Sequence, residues 1–160
     1  MREEVCIYFV TMQNLGGNAA INEVMLIDDE PIDLFINERL LKAYSFAKRY
    51  IAFEDALLAL KELRNRAGSG AVLPDIIFLD YFMPLIDGFD FVSRIKELEL
   101  EFPDSFSGTR IIMLTTLKSP EKRKKLEEFE RIFAIMSKPL NEAAVKDLSG
   151  RLFQHGQNQS

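Results

Sequence analysis

Short apolar runs alternate with longer amphipathic stretches along most of this chain. The runs fall at 24–27, 76–79, 111–114 and 133–136, with a weaker one at 49–53. All but the weak one are nearly continuous hydrophobes, without the in-out alternation of a strand that has one wet face, so the pattern predicts strands buried on both sides. The stretch 31–43 opens with Pro31, whose fixed φ suits a first helical turn. Residues 54–66 put Ala56, Leu57, Leu60 and Leu63 on one side, and a third helix over about 89–98 can start from Asp87 as its N-cap. Ser119 and Pro120 announce a charged fourth helix through Glu128, and Asn141 caps a fifth with Val145, Leu148 and Leu152 on a common side. Strand and helix in strict alternation, without an internal repeat, predict an α/β domain built on a parallel sheet with crossover helices.

The ends differ from this body. Residues 13–22 are small and polar, with Gly16 and Gly17, so 1–22 reads as an extension outside the domain, and Met12 is an alternative translation start. The domain is expected over 23–153, and the polar stretch 154–160, which holds the only histidine, His155, as a flexible tail. The apolar segment 5–12 is short and comes after Arg2, Glu3 and Glu4, unlike a secretory leader. No run approaches the ~20 apolar residues of a membrane span. At 160 residues with 48% hydrophobic content the chain has room for one ordinary core. Its 20 basic and 25 acidic residues leave a net charge of -5, which gives no reason to expect nucleic acid or an anionic membrane as a partner. Cys6 stands alone and cannot form an internal disulfide, which suits a reducing, cytoplasmic setting.

The residues just past the end of each apolar run carry the chemistry. Asp28 and Asp29 come after the first run, Asp80 after the third, Thr115 and Thr116 after the fourth, and Ser137, Lys138 and Pro139 after the fifth. Ligands of open parallel sheets bind outside the carboxyl ends of the strands, so this placement predicts that three carboxylates, a hydroxyl and an ammonium meet in one pocket. Crowded carboxylates raise each other's pKa unless a cation neutralises them. Oxygen ligands without histidine or cysteine suit magnesium, with manganese as an alternative. Lys138 and Thr115 are then placed to bind an anion on the far side of the cation, a pocket suited to phosphoryl transfer.

From about Val24 to Leu152 the chain resembles a response-regulator receiver domain. The resemblance rests on Asp28-Asp29, the segment from Asp80 through Met83-Pro84 to Asp87-Gly88, Thr115, and Lys138-Pro139, in that order. It implies a flavodoxin-like, doubly wound sheet of five parallel strands in order 2-1-3-4-5 with five helices. It further implies that Asp80 is the phosphoacceptor, and that Asp28, Asp29, Asp80 and the backbone carbonyl of Phe82 hold Mg2+. Thr115 would bind a phosphoryl oxygen, and Lys138 would pair with Asp80 before the reaction and with the phosphoryl group after it. The Lys138-Pro139 bond is similar to one that is cis in the family. The donor would be a histidine kinase or histidine phosphotransfer protein. The output would pass to a protein target through the surface of the fourth helix, fifth strand and fifth helix, with homodimerisation left open and no output domain in the chain.

Four positions depart from the family pattern. Ile135 stands where an aromatic usually lies three residues before the lysine, and an aliphatic side chain cannot make the ring rotation that accompanies the threonine's movement. Phe133, two residues earlier, is expected on the same face as Ile135. Thr116 adds bulk beside Thr115. Phe82 and Leu117 are apolar where water would approach phosphorus, which predicts slow self-dephosphorylation.

Each feature alone has a plainer reading. Asp28 and Asp29 before Pro31 suit a helix N-terminus, Met83-Pro84 and Asp87-Gly88 suit turns, and the basic run 122–125 with Glu127, Glu128 and Glu130 after it suits an exposed charged helix. Joint placement favours the site. Two other functional classes compete with the phosphorylated switch. A haloacid-dehalogenase-type Mg-dependent phosphatase resembles an Asp-x-Asp pattern, whereas position 82 is Phe. A phosphorylation-independent scaffold would not need the acidic pair, Asp80, Thr115 and Lys138 together. An FMN binder is weaker still, because acids after the first strand would repel the FMN phosphate.

Overall fold

The computed structural model describes residues 21–155. The readings made on Cys6, on Met12 as a start and on the extremes of both termini lie outside that span. In chain order the elements are β1 (Glu23–Ile27), α1 (Pro31–Ala43), β2 (Arg49–Phe53), α2 (Ala56–Ser69), β3 (Ile76–Asp80), α3 (Gly88–Glu101), β4 (Arg110–Thr115), α4 (Pro120–Glu127), β5 (Ile132–Ser137) and α5 (Glu142–His155). α5 thus continues to His155, two residues beyond the expected domain limit. α2 begins later than the expected Glu54, because Asp55 is the N-cap: its carboxylate accepts the N–H groups of Leu57 and Leu58.

All strand pairs are parallel, in the order β2-β1-β3-β4-β5. Because side chains alternate across a sheet, each strand feeds two cores. Met25, Ile27, Ile77, Leu79 and Met113 pack with Leu63 of α2, Phe91, Val92 and Ile95 of α3 and Leu126 of α4. Val24, Leu26, Phe78, Ile112 and Leu114 pack with Leu34 and Leu41 of α1 and Val145 and Leu148 of α5. Each fully buried Leu, Ile or Phe of this kind contributes about 1.5–3 kcal/mol. That two-sided burial explains the continuous hydrophobic runs. β2, at one edge, is only partly covered and reads weakly for that reason.

One expectation about faces fails. Ile111 pairs with Ile132 and Ile112 with Ala134, so Phe133 is an extra residue in β5. This bulge breaks the two-residue period, and Phe133 packs on the α1/α5 side while Ile135 packs on the α2/α3 side. Phe133 therefore does not share the face of Ile135.

The chain order reverses between β1 and β3, which lie side by side at the centre of the sheet. Loops leaving their carboxyl ends turn to opposite sides and open a crevice there. At the other end of β1, Glu23 is buried and ion-paired to Arg66 and, at 3.4 Å, to Arg49, an arrangement that closes the sheet rather than opening a pocket. No helix among the described residues is long and apolar enough to cross a membrane.

Candidate functional site

Asp80 ends β3 beside Leu114 of β4, and Asp28 comes directly after β1, its N–H donating to the Phe53 carbonyl at 3.1 Å. Both acids are buried and Asp29 is exposed. One carboxylate oxygen from each of Asp28, Asp29 and Asp80 can be chosen so that all lie within 4.8 Å of one another. Burial, reinforced by the charge of Asp28, pushes the Asp80 carboxyl up to about 6, although Lys138 and the backbone N–H of Phe82 pull it the other way. Asp28, Asp29 and Asp80 together carry more negative charge than the one ammonium of Lys138 offsets. Three hard oxygen ligands with surplus negative charge fit a divalent cation of the magnesium type.

Lys138, at the end of β5, approaches from the other side. Its Nζ lies 2.8 Å from Asp28 Oδ2, 2.8 Å from Asp33 Oδ2 and 3.4 Å from Asp80 Oδ1. Burial alone would lower its pKa, but the bonds to Asp28 and Asp33 and the charge of Asp80 outweigh that and raise it. The Lys138-Pro139 bond is cis, and the Lys138 N–H donates to the Thr115 carbonyl at 3.1 Å.

Asp33 was not among the expected site residues. It occupies the first turn of α1, where an acid is ordinarily explained by the helix dipole. The available signal was its place in the first turn of the helix that directly follows the Asp28-Asp29 loop.

Thr115 is buried at the end of β4, opposite Ser137, and its hydroxyl accepts the Leu117 N–H at 2.9 Å. Its own hydroxyl proton is not used by that bond. Thr116 is exposed. The two apolar neighbours part company: Phe82 is 51% exposed, whereas Leu117 is buried in the core under α2 and α3. The loop after Asp80 is braced by the Gly88 N–H, which donates to the Tyr81 carbonyl at 2.8 Å, and by a capping box between Asp87 and Asp90 at the start of α3.

The sequence pattern of the response regulator receiver domain matches residues 24–148. The chain belongs to that family. It is 27% identical over 150 residues to the hybrid signal transduction histidine kinase L of Dictyostelium discoideum; the match covers 92% of this chain and 8% of that protein. A two-component response regulator from Cytophaga hutchinsonii has a similar structure, with TM-score 0.71 and 24% identity over 84% of this chain and 98% of the other. The CheX-CheY-BeF3-Mg+2 complex from Borrelia burgdorferi contains a similar fold, with TM-score 0.62 and 20% identity over 84% of this chain and 89% of the other. Receiver domains serve two-component signalling: they are phosphorylated, bind Mg2+ in an acidic pocket, and interact with histidine kinases and downstream targets. The haloacid-dehalogenase reading is not favoured.

Proposed function

We propose that Asp80 accepts a phosphoryl group from a phosphohistidine on a histidine kinase or histidine phosphotransfer protein. The observation that carries this is the convergence of Asp28, Asp29, Asp80 and Lys138, from three separate strand ends, on one crevice. An ionised Asp80 oxygen attacks phosphorus as the P–N bond to the donor imidazole breaks, the bonding pair returning to nitrogen. With a pKa of about 6, Asp80 is mostly ionised at neutral pH and remains a competent nucleophile. Asp28, Asp29, Asp80 and the Phe82 carbonyl would hold Mg2+, which supplies positive charge against the transferring oxygens. Lys138 carries charge to the same oxygens, and the Thr115 hydroxyl donates its free proton to one of them.

The product is a signal rather than a turned-over substrate. The acyl phosphate adds negative charge beside Thr115 and biases the adjoining loop between packings, so that a protein target reads the state through α4, β5 and α5. The setting proposed is the cytoplasm, with neither nucleic acid nor membrane required by the site.

Incubation with acetyl phosphate or phosphoramidate and Mg2+, then intact mass measurement, tests the reading. Wild type gains one phosphoryl mass and Asp80→Asn gains none. A wild type that stays unmodified, or an Asp80→Asn protein that is modified equally, rejects it.

A further inference from the structure

Resting on the assignment of Asp80 as phosphoacceptor, we infer that Asp33 is a positioning residue: it draws the Lys138 ammonium off Asp80 in the unphosphorylated protein and yields it to the phosphoryl group. The distances state the competition, since Nζ is 2.8 Å from Asp33 and 3.4 Å from Asp80. A lysine ammonium has three donors, and three carboxylates already surround this one, so an arriving phosphoryl oxygen must displace a partner.

Asp33 is the partner that gives way at least cost. The Asp28 side chain is 3% exposed, and leaving a buried carboxylate without its cation is expensive. The Asp33 side chain is 40% exposed, so water can replace the lysine.

Local structure explains why Asp33 is available. It is the third residue of α1, where an acid ordinarily folds back onto the N-cap N–H. Here that N–H, on Glu30, donates to Asp28 Oδ1 at 3.0 Å. Asp33 reaches Lys138 instead. Its charge also stands against the incoming phosphoryl group, so it acts as a brake on loading.

The test compares Asp33→Asn with Glu30→Gln, which removes the same charge from an exposed side chain at the N-cap of the same helix. The rate of phosphoryl gain from acetyl phosphate is measured for full-length protein at fixed Mg2+. Asp33→Asn is expected to load about threefold faster or more, the scale of one partly solvated ion pair, with Glu30→Gln close to wild type. A second readout uses unphosphorylated, Mg2+-free protein: the carbon-13 signal of Lys138 Cε responds more to Asp80→Asn when Asp33 is also Asn. Equal acceleration by both single variants, or an unchanged Lys138 response, overturns the inference. Wild type that gains no phosphoryl mass overturns the underlying reading and this inference together. Wild type that gains it while Asp33→Asn is no faster overturns this inference alone.

Discussion

Lys138 and Asp28 are 110 residues apart in the chain and 2.8 Å apart in the fold. This bond crosses the sheet's carboxyl edge from β5 to β1, past Asp80 at the end of β3. Lys138 thereby offsets the buried acids, and in the function proposed above the same ammonium faces the phosphoryl oxygens.

Replacing Lys138 by Met is therefore expected to destabilise the Mg2+-free protein by about 1–3 kcal/mol, since a buried carboxylate loses its partner in a pocket that water still reaches. Thermal melts with and without Mg2+ check this. The deficit shrinks when Mg2+ is added, and phosphorylation by acetyl phosphate falls about tenfold or more. A variant as stable as wild type without Mg2+ would mean that the Asp28 pair contributes nothing.

Asp80 sets a pH dependence of defined sign. Its pKa is 3.8 as an ordinary group and about 6 in the fold, so between those values the native state keeps a proton that the unfolded chain has lost. Stability of the Mg2+-free protein falls as pH rises through this interval and is level above it. The loss is on the order of 1 kcal/mol after allowance for solvent in the pocket. Asp80→Asn removes the slope and raises the melting temperature at neutral pH, as does saturating Mg2+. A melting temperature that climbs across the interval because of Asp80 would contradict the assignment.

If Asp80 is the phosphoacceptor, Phe82 is expected to limit access of water to the acyl phosphate. Loss of phosphoryl mass after donor removal is expected to take minutes or longer, and Phe82→Asn to speed it about threefold or more by admitting and orienting water. The half-exposed position of Phe82 makes this change structurally mild. Leu117, buried in the core, does not offer a clean version of the experiment. Loss within seconds that Phe82→Asn leaves unchanged would reject a shielding role.

Gly88 tests the brace under the acceptor loop. A Cβ there would lie 2.8 Å from Met113 Sδ and 3.0 Å from the Tyr81 Cα. Met113 can shift, but the backbone of Tyr81 cannot without disturbing Asp80 directly before it. Gly88→Ala is expected to cost about 1–3 kcal/mol in denaturant melts and to slow phosphorylation. Wild-type stability and rate would show that the loop does not depend on this contact.

Much of this architecture was legible in the chain itself. The continuous runs at 24–27, 76–79 and 111–114 required strands covered on both sides, and Pro31, Asp87 and Asn141 marked helix starts that the fold uses. Acids and a threonine directly after those runs, with a lysine two residues past 133–136, predicted the crevice, because parallel strands end on one side. Local order alone determines such features: burial dictates composition, and strand direction dictates which ends meet.

Tertiary structure decided the rest. Asp33 is a partner of Lys138 in a fold where Asp28 takes the Glu30 N–H, and no sequence spacing encodes that pair of contacts. The bulge at Phe133 reversed a face that the two-residue period had assigned, since one extra residue in the strand shifts every side chain before it. Leu117 and Phe82, alike in sequence as apolar neighbours of the site, separated into core and surface according to what packed over them. Period and composition specify which elements form and which ends converge, whereas the partner of each charge depends on competition among donors that only the folded crevice brings within reach.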